Sequence, residues 1–284
     1  MRISVVIPSY NRADLLPRAL DSVLAQTSPA DQIIVVDDGS TDDTAGVVDG
    51  YPQVEQLRQE NRGVSAARNR GIRHAAHPWI ALLDSDDSWL PHKLETVREA
   101  RRQEPRRRLF HSDEIWIRNG VRVNAMNKHR KSGGDIFEQC LPLCVISPSA
   151  AVIDKQLLDD VGLFDQSLPA CEDYDLWLRV CCAHPVGFID QPLITKYGGH
   201  ADQLSRRHWG MDRFRILALH RLLTSTRLTP QQTRQARQML LHKLQILLKG
   251  ARKHANQQVI DQFEPLCLIH SQQRTEAYED CAPC

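Results

Sequence analysis

The chain has 284 residues, with 36 Lys and Arg against 35 Asp and Glu and a formal net charge of +1. So even a balance gives no overall pull toward nucleic acid or another strongly charged surface. Hydrophobic residues make up 42% and charged ones 25%, which excludes disorder as the dominant state and points to one large domain with an appendage, or two domains.

Residues 3–7 (Ile-Ser-Val-Val-Ile) are a short β-branched run closed by Pro8-Ser9-Tyr10-Asn11, and so read as a buried strand leading into a loop. Leu15, Leu16, Ala19, Leu20, Val23 and Leu24 then repeat at helical spacing. Residues 33–36 form a second strand, ending in Asp37-Asp38-Gly39-Ser40, with Ser40 and Thr41 as candidate caps for a helix through Val47 and Val48. A weaker strand at 54–57 and an Ala- and Arg-rich helix at 63–76 follow. A fourth strand at 79–83 then runs straight into Asp84-Ser85-Asp86-Asp87. Strands at 110–117, 121–123, 150–153 and 193–197 and a helix at 173–182 are read in the middle, with a basic loop at 128–134. From Trp209 the pattern becomes helical, at 214–223 and from Pro230 to about His254, with Thr229 as cap and Pro230 at the first position. Residues 265–284 read as a poorly ordered tail.

Strands alternating with helices over the first hundred residues imply a mostly parallel sheet, whose ligands bind beyond the carboxyl ends of the strands. Both acidic clusters fall at such ends. Three carboxylates within four residues at 84–87 repel one another unless a cation or hydrogen-bond donors offset them. Oxygen ligands of this kind suit Mg²⁺ or Mn²⁺, with substrate phosphates completing the shell. The competing reading is a solvated turn, since Asp is a common turn residue. Arg62, Arg68 and Arg70 around the start of the helix at 63–76 could reach phosphates.

The strings at 5–12 (Val-Val-Ile-Pro-Ser-Tyr-Asn-Arg), 35–40 (Val-Val-Asp-Asp-Gly-Ser), 63–71 and 82–87 (Leu-Leu-Asp-Ser-Asp-Asp), in this order and spacing, resemble family two glycosyltransferases of the GT-A fold. The resemblance covers about the first 205 residues. It implies an α/β fold: a Rossmann-like nucleotide-binding mixed sheet flanked by helices, here with a C-terminal helical extension at 206–264. In the family pattern Pro8, Ser9, Tyr10, Asn11 and Arg12 would hold base and ribose, Asp38 would meet the base, usually uracil, and Arg68 would lie near the nucleotide. Asp84, Ser85 and Asp86 would contact the nucleotide sugar, and Asp86 and Asp87 the Mn²⁺ or Mg²⁺. Residues 171–179 (Cys-Glu-Asp-Tyr-Asp-Leu-Trp-Leu-Arg) resemble the downstream Glu-Asp motif, so Asp173 would be the general base of an inverting transfer and Glu172 would orient the acceptor. Trp177 is placed on the acceptor side, with core packing as its competing role. His200 resembles a residue that completes metal or diphosphate binding in some members; a surface or packing role is the alternative.

The expected reaction moves a sugar from a nucleotide-sugar donor, a UDP-sugar, to a hydroxyl of a glycan or lipid-linked polysaccharide precursor. A sugar-phosphate nucleotidyltransferase would need a Gly-rich basic loop after the first strand, where Pro8 to Arg12 stand instead. A catalytically silent nucleotide-sugar binding module would be expected to lack the base. Arg98, Arg101, Arg102 and Arg106 to Arg108 form either a solvated face or a site for an anionic acceptor or headgroup. Residues Lys128 to Lys131 form either a plain loop or a lid. The basic helix from Pro230 would pack on the catalytic domain, form a homodimer, or lie on a membrane. No apolar run reaches the roughly 18 residues that span a bilayer, and residues 1–8 do not make a signal peptide. A cytoplasmic chain is therefore expected, with peripheral contact at the inner face of a membrane as the alternative. Its 8 Cys form no regular framework, so reduced thiols and no zinc site are expected.

Overall fold

The computed structural model describes residues 1–124, 130–199 and 208–279. Strands β1 (Ile3–Ser9), β2 (Gln32–Asp37), β3 (Glu55–Arg58) and β4 (Trp79–Leu82) run parallel, in the spatial order β3-β2-β1-β4. Helices α1 (Leu16–Leu24), α2 (Thr44–Asp49) and α3 (Val64–His74) make the crossovers. Register places Ser9 opposite Asp37 and Val6 opposite Leu82. The loops after β1, β2 and β4 therefore leave the sheet along one edge, where such sheets bind ligands.

Beyond β4 the sheet is mixed. Its order continues through β8 (Val152–Asp154), β6 (Leu109–Arg118), β9 (Gly187–Gly198) and β5 (Ser88–Trp89). Strand β8 is antiparallel to both β4 and β6, and β6 is parallel to β9. Strand β7 (Val121–Val123) pairs with β6 as a hairpin.

Alternation along the strands sorts the core into two layers. Ile3, Val5 and Ile7 face the layer containing Leu16, Leu20 and Leu94, the last from α4 (Lys93–Gln103). Val6, Ile34, Val36 and Leu82 face the other layer. Helix α3 lies so close to that second face that a Cβ on Gly71 would stand 2.4 Å from Val6 Cγ1. Gly71→Ala is therefore expected to destabilise the fold by about 1–3 kcal/mol through overpacking. A lower urea midpoint at unchanged slope would report it.

Short elements escaped the sequence reading: α5 (Phe137–Cys140), α6 (Lys155–Val161) and β5. Ser40 and Thr41 do not cap α2, which starts at Thr44; they tie the loop after β1 instead. The basic loop is partly structural. Lys131 makes a 2.8 Å ion pair with Glu114, and both side chains are buried, so Lys131 is no lid cation. Lys128 and His129 lie outside the described residues. Arg98 donates to the Met1 and Pro29 carbonyls, Ser28 and Asp31. It fastens α4 to the sheet rather than facing an anionic acceptor.

Helix α7 (Glu172–Cys181) packs against α8 (Asp212–Ser225), which α9 (Pro230–Lys253) covers in turn, and their buried residues join the second layer of the core. Thr229 caps α9 in a full capping box with Gln232, and Pro230 holds the first position. Lys243, on the same helix, is buried and donates to the Pro142 carbonyl and Asp212, both at 2.9 Å. The expected tail at 265–284 is instead largely helix: α10 (Gln257–Glu279) continues through Pro265. An interior proline disfavours helix, but buried Val259, Phe263 and His270 pack this one down. Among the described residues, no helix is long and apolar enough to cross a membrane.

Candidate active site

A cleft of about 430 Å³ opens where the carboxyl ends of β1, β2 and β4 meet the starts of α3 and α7. Pro8, Ser9, Tyr10 and Arg12 line it from the first loop, Asp38 from the second, Arg68 from α3 and Asp84 to Asp87 from the fourth strand end. Glu172 and Asp173 close the opposite side.

Asn11 shapes the first loop from behind. Its φ is +51°, a conformation that Asn tolerates better than most residues. Its backbone N–H donates to Ser40 Oγ, and its side-chain oxygen accepts from the Thr41 N–H at 2.8 Å. It is expected at the nucleotide but is not among the described residues lining the cleft. Asp37 is fully buried, accepting from the Ser40 N–H and lying 3.2 Å from Arg58. Asp38 accepts from Gln59 Nε2 at 2.6 Å and from the backbone N–H groups of Arg62 and Gly63 at 3.0 and 2.8 Å. These contacts aim a fixed carboxylate at the start of α3.

Arg68 is the electrostatic hinge of the site. It is 3% exposed, and its guanidinium bridges Asp84 at 2.7 Å and Glu172 at 2.6 Å. The strand-end loop and the helix carrying Asp173 are thus joined through one cation. Burial disfavours every charge here, yet the two carboxylates keep Arg68 firmly protonated. Burial also works against Asp84, but Arg68 and then Lys196 hold its carboxyl below the usual range. Glu172 sits above it, because burial outweighs the pull of Arg68.

The three acidic-loop residues have different surroundings. Asp87 accepts from Ser149 Oγ at 2.6 Å and from the Tyr197 N–H at 3.2 Å, so both oxygens have protein donors. Burial lifts it to about 7 despite Lys196. Asp84 is committed to Arg68. Asp86 faces the cleft without a donor from another described side chain; burial and then Asp84 raise its pKa. Its backbone carbonyl accepts from Arg18, whose guanidinium stacks 3.6 Å over the Tyr197 ring. Among the described residues, no three His, Cys, Asp or Glu side chains form a metal cage. The donor set fits a hard divalent cation held through one carboxylate, Asp86, with substrate phosphates filling the shell. Asp87, expected as a second ligand, also lines the cleft; Ser149 and the Tyr197 N–H fix its carboxylate there, with one donor on each oxygen and a second lone pair left on each.

Asp173 is half-buried in the first turn of α7. Its Oδ1 accepts from the Tyr174 N–H at 2.7 Å, and its Oδ2 lies 3.2 Å from Cys144 Sγ. Cys171, just before the helix, has φ +61°, a strained conformation for a non-glycine residue, at the cleft wall. Trp177 does not reach the acceptor side. It is 1% exposed in the core, because it lies on the face of α7 that packs inward. His200 lies outside the described residues. Sequence reasoning missed Lys196, Tyr197 and Met211, which also line the cleft. Lys196 is held strongly protonated against burial by Asp87, Glu114, Asp84 and Asp173. Its only sequence signal was a lysine at the end of a strand.

The chain matches the family model described as glycosyl transferase family 2 over residues 4–162. A Rickettsia felis protein described as an uncharacterized glycosyltransferase is 31% identical over 201 residues, covering 68% of this chain and 32% of its own. A Bacillus subtilis protein named for teichuronic acid biosynthesis, TuaG, is 39% identical over 98 residues, 33% of this chain and 39% of its own. This chain thus spans about a third of the length of the Rickettsia felis relative. In structure, S. aureus TarS 1-349 in complex with UDP-GlcNAc superposes with a TM-score of 0.70 at 19% identity, covering 86% of this chain and 72% of that one. This likeness shows the GT-A fold. With the strand-end motifs gathered in one cleft and the family model matching more than half its length, the chain belongs to glycosyl transferase family 2.

Proposed function

We propose that the chain transfers a sugar from a UDP-sugar to a hydroxyl of a glycan or surface-polymer precursor, with inversion at the anomeric carbon. The observation that carries this reading is the joining of two half-sites by Arg68. Donor-side carboxylates and the Asp173 helix face one cleft, held together by a buried guanidinium. The UDP-GlcNAc and UDP complexes of TarS support a nucleotide-sugar donor, and the name of TuaG, which refers to teichuronic acid biosynthesis, supports a polymer as acceptor.

In this reading Asp38 and the Pro8 to Arg12 loop hold base and ribose. Asp173 takes the proton of the acceptor hydroxyl as that oxygen attacks, a task for one positioned carboxylate. The nucleoside diphosphate leaves from the opposite face. Asp86 would hold Mn²⁺ or Mg²⁺, which would offset the charge growing on the diphosphate. Arg68 and Lys196 supply fixed positive charge around the carboxylates, so the cleft is electrostatically organised before substrate enters.

The test is UDP release from a panel of UDP-sugars with Mn²⁺, with and without acceptor sugars. Turnover is expected with at least one donor, falling to background in excess chelator and returning on Mn²⁺ addition. Turnover that persists in chelator would remove the metal. Tight UDP binding with no turnover against a broad acceptor panel would favour a silent binding module.

A further inference from the structure

Residues 144–149 run beneath the cleft and touch three of its charged groups. Ser149 Oγ donates to Asp87 and accepts from the Asp84 N–H at 3.1 Å. Lys196 Nζ donates to Ser147 Oγ at 3.2 Å. At the head of the segment, Cys144 Sγ stands 3.2 Å from Asp173 Oδ2 and also 3.2 Å from the Ile146 carbonyl oxygen. A thiol has one proton, so it can serve only one of these two acceptors at a time.

We propose that Cys144 is a positioning residue for Asp173, its S–H donating to Oδ2 while the carboxylate is ionised and turning to the Ile146 carbonyl once the carboxylate is protonated. The proposal rests on Asp173 being the base. Tyr174 N–H on Oδ1 and Cys144 on Oδ2 fix the carboxylate plane at two points and leave each oxygen a lone pair toward the cleft. During transfer the acceptor O–H bond breaks and its proton goes to Asp173. The oxygen's electron pair forms the new glycosidic bond, and the diphosphate leaves with the electrons of the old one. The thiol neither gains nor loses a proton; it changes partner. Burial, and then the charge of Asp173, hold Cys144 well above the usual thiol range, so it stays a donor and does not become a competing nucleophile.

The other titratable groups facing Asp173 are Lys196 from β9 and Cys171 and Glu172 beside it. None of them is altered in the test. The full chain is assayed with UDP-GlcNAc, or whichever UDP-sugar turns over, from about pH 5 to about pH 9. Losing a donor to the carboxylate destabilises its charged form, so its pKa rises and the base becomes available only at higher pH. Cys144→Ala is therefore expected to lower kcat about ten-fold, the effect of one hydrogen bond to a charged group. It should move the acidic limb of kcat upward by roughly one pH unit and leave the donor KM and UDP affinity unchanged. Cys144→Ser, which keeps a donor, should restore both rate and limb. An alanine variant with an unmoved limb and near-normal kcat, beside an inactive Asp173→Asn, overturns the role of Cys144 alone. So does a loss of UDP affinity that serine fails to rescue, which would mark a packing role. Undiminished turnover in Asp173→Asn overturns the base assignment, and this proposal with it.

Discussion

Asp173→Asn is expected to lower turnover by about 10²–10⁴-fold, the range that a general base contributes, while UDP binding and the melting temperature stay near those of the parent. The asymmetry follows from the geometry. The carboxamide oxygen can still accept from the Tyr174 N–H, and Asp173 takes no part in the Arg68 bridge. What the variant loses is the ability to take a proton. Steady-state UDP release together with UDP titration calorimetry separates the two quantities. A variant that releases UDP at the parental rate would remove Asp173 from the chemistry and leave α7 a structural helix that happens to begin with acidic residues.

Arg68→Ala is expected to have the largest effect on stability. The guanidinium is buried with two carboxylates on it, at 2.7 and 2.6 Å. Removing one partner of a buried ion pair typically costs about 3–5 kcal/mol, because the remaining charge loses its compensation; here two charges lose it at once. Asp84 and Glu172 would relieve part of the strain by taking up protons, so the variant should be closest to the parent at low pH and fall furthest behind near neutrality. Urea denaturation at several pH values would show this as a gap that widens as pH rises. A uniform loss across pH would mean that Arg68 acts by packing, through its approach to the Phe164 ring, rather than by charge.

The strand-end side of the cleft was legible because its residues sit in short local strings. Ser9, Asp38 and Asp84 are each placed by the two or three residues before them, and strand register does the rest. The side carrying Asp173 was less so, because its geometry is made by residues far apart in sequence. Nothing local to Cys144 points to Asp173, 29 positions away, and nothing local to Lys196 points to Asp87. The string at 84–87 does not tell its carboxylates apart; the donors that hold Asp87, Ser149 and the Tyr197 N–H, come from 62 and 110 residues on. Arg98 and Lys131 looked like free cations because their partners, Asp31 and Glu114, lie on other elements. Residues 265–284 read as a tail because nothing local to them shows that Phe263, just before Pro265, joins the core shared with α9.

The packing of α8 on α7, and of α9 on α8, makes the boundary drawn at residue 205 a division of motifs rather than of matter. Leu219, Leu240 and Leu244 share one oily interior with Leu178 and Val6. A polypeptide trimmed to the stretch carrying the recognisable strings would keep the strand-end carboxylates yet lose Met211 from the cleft wall and turn the back of α7 toward water.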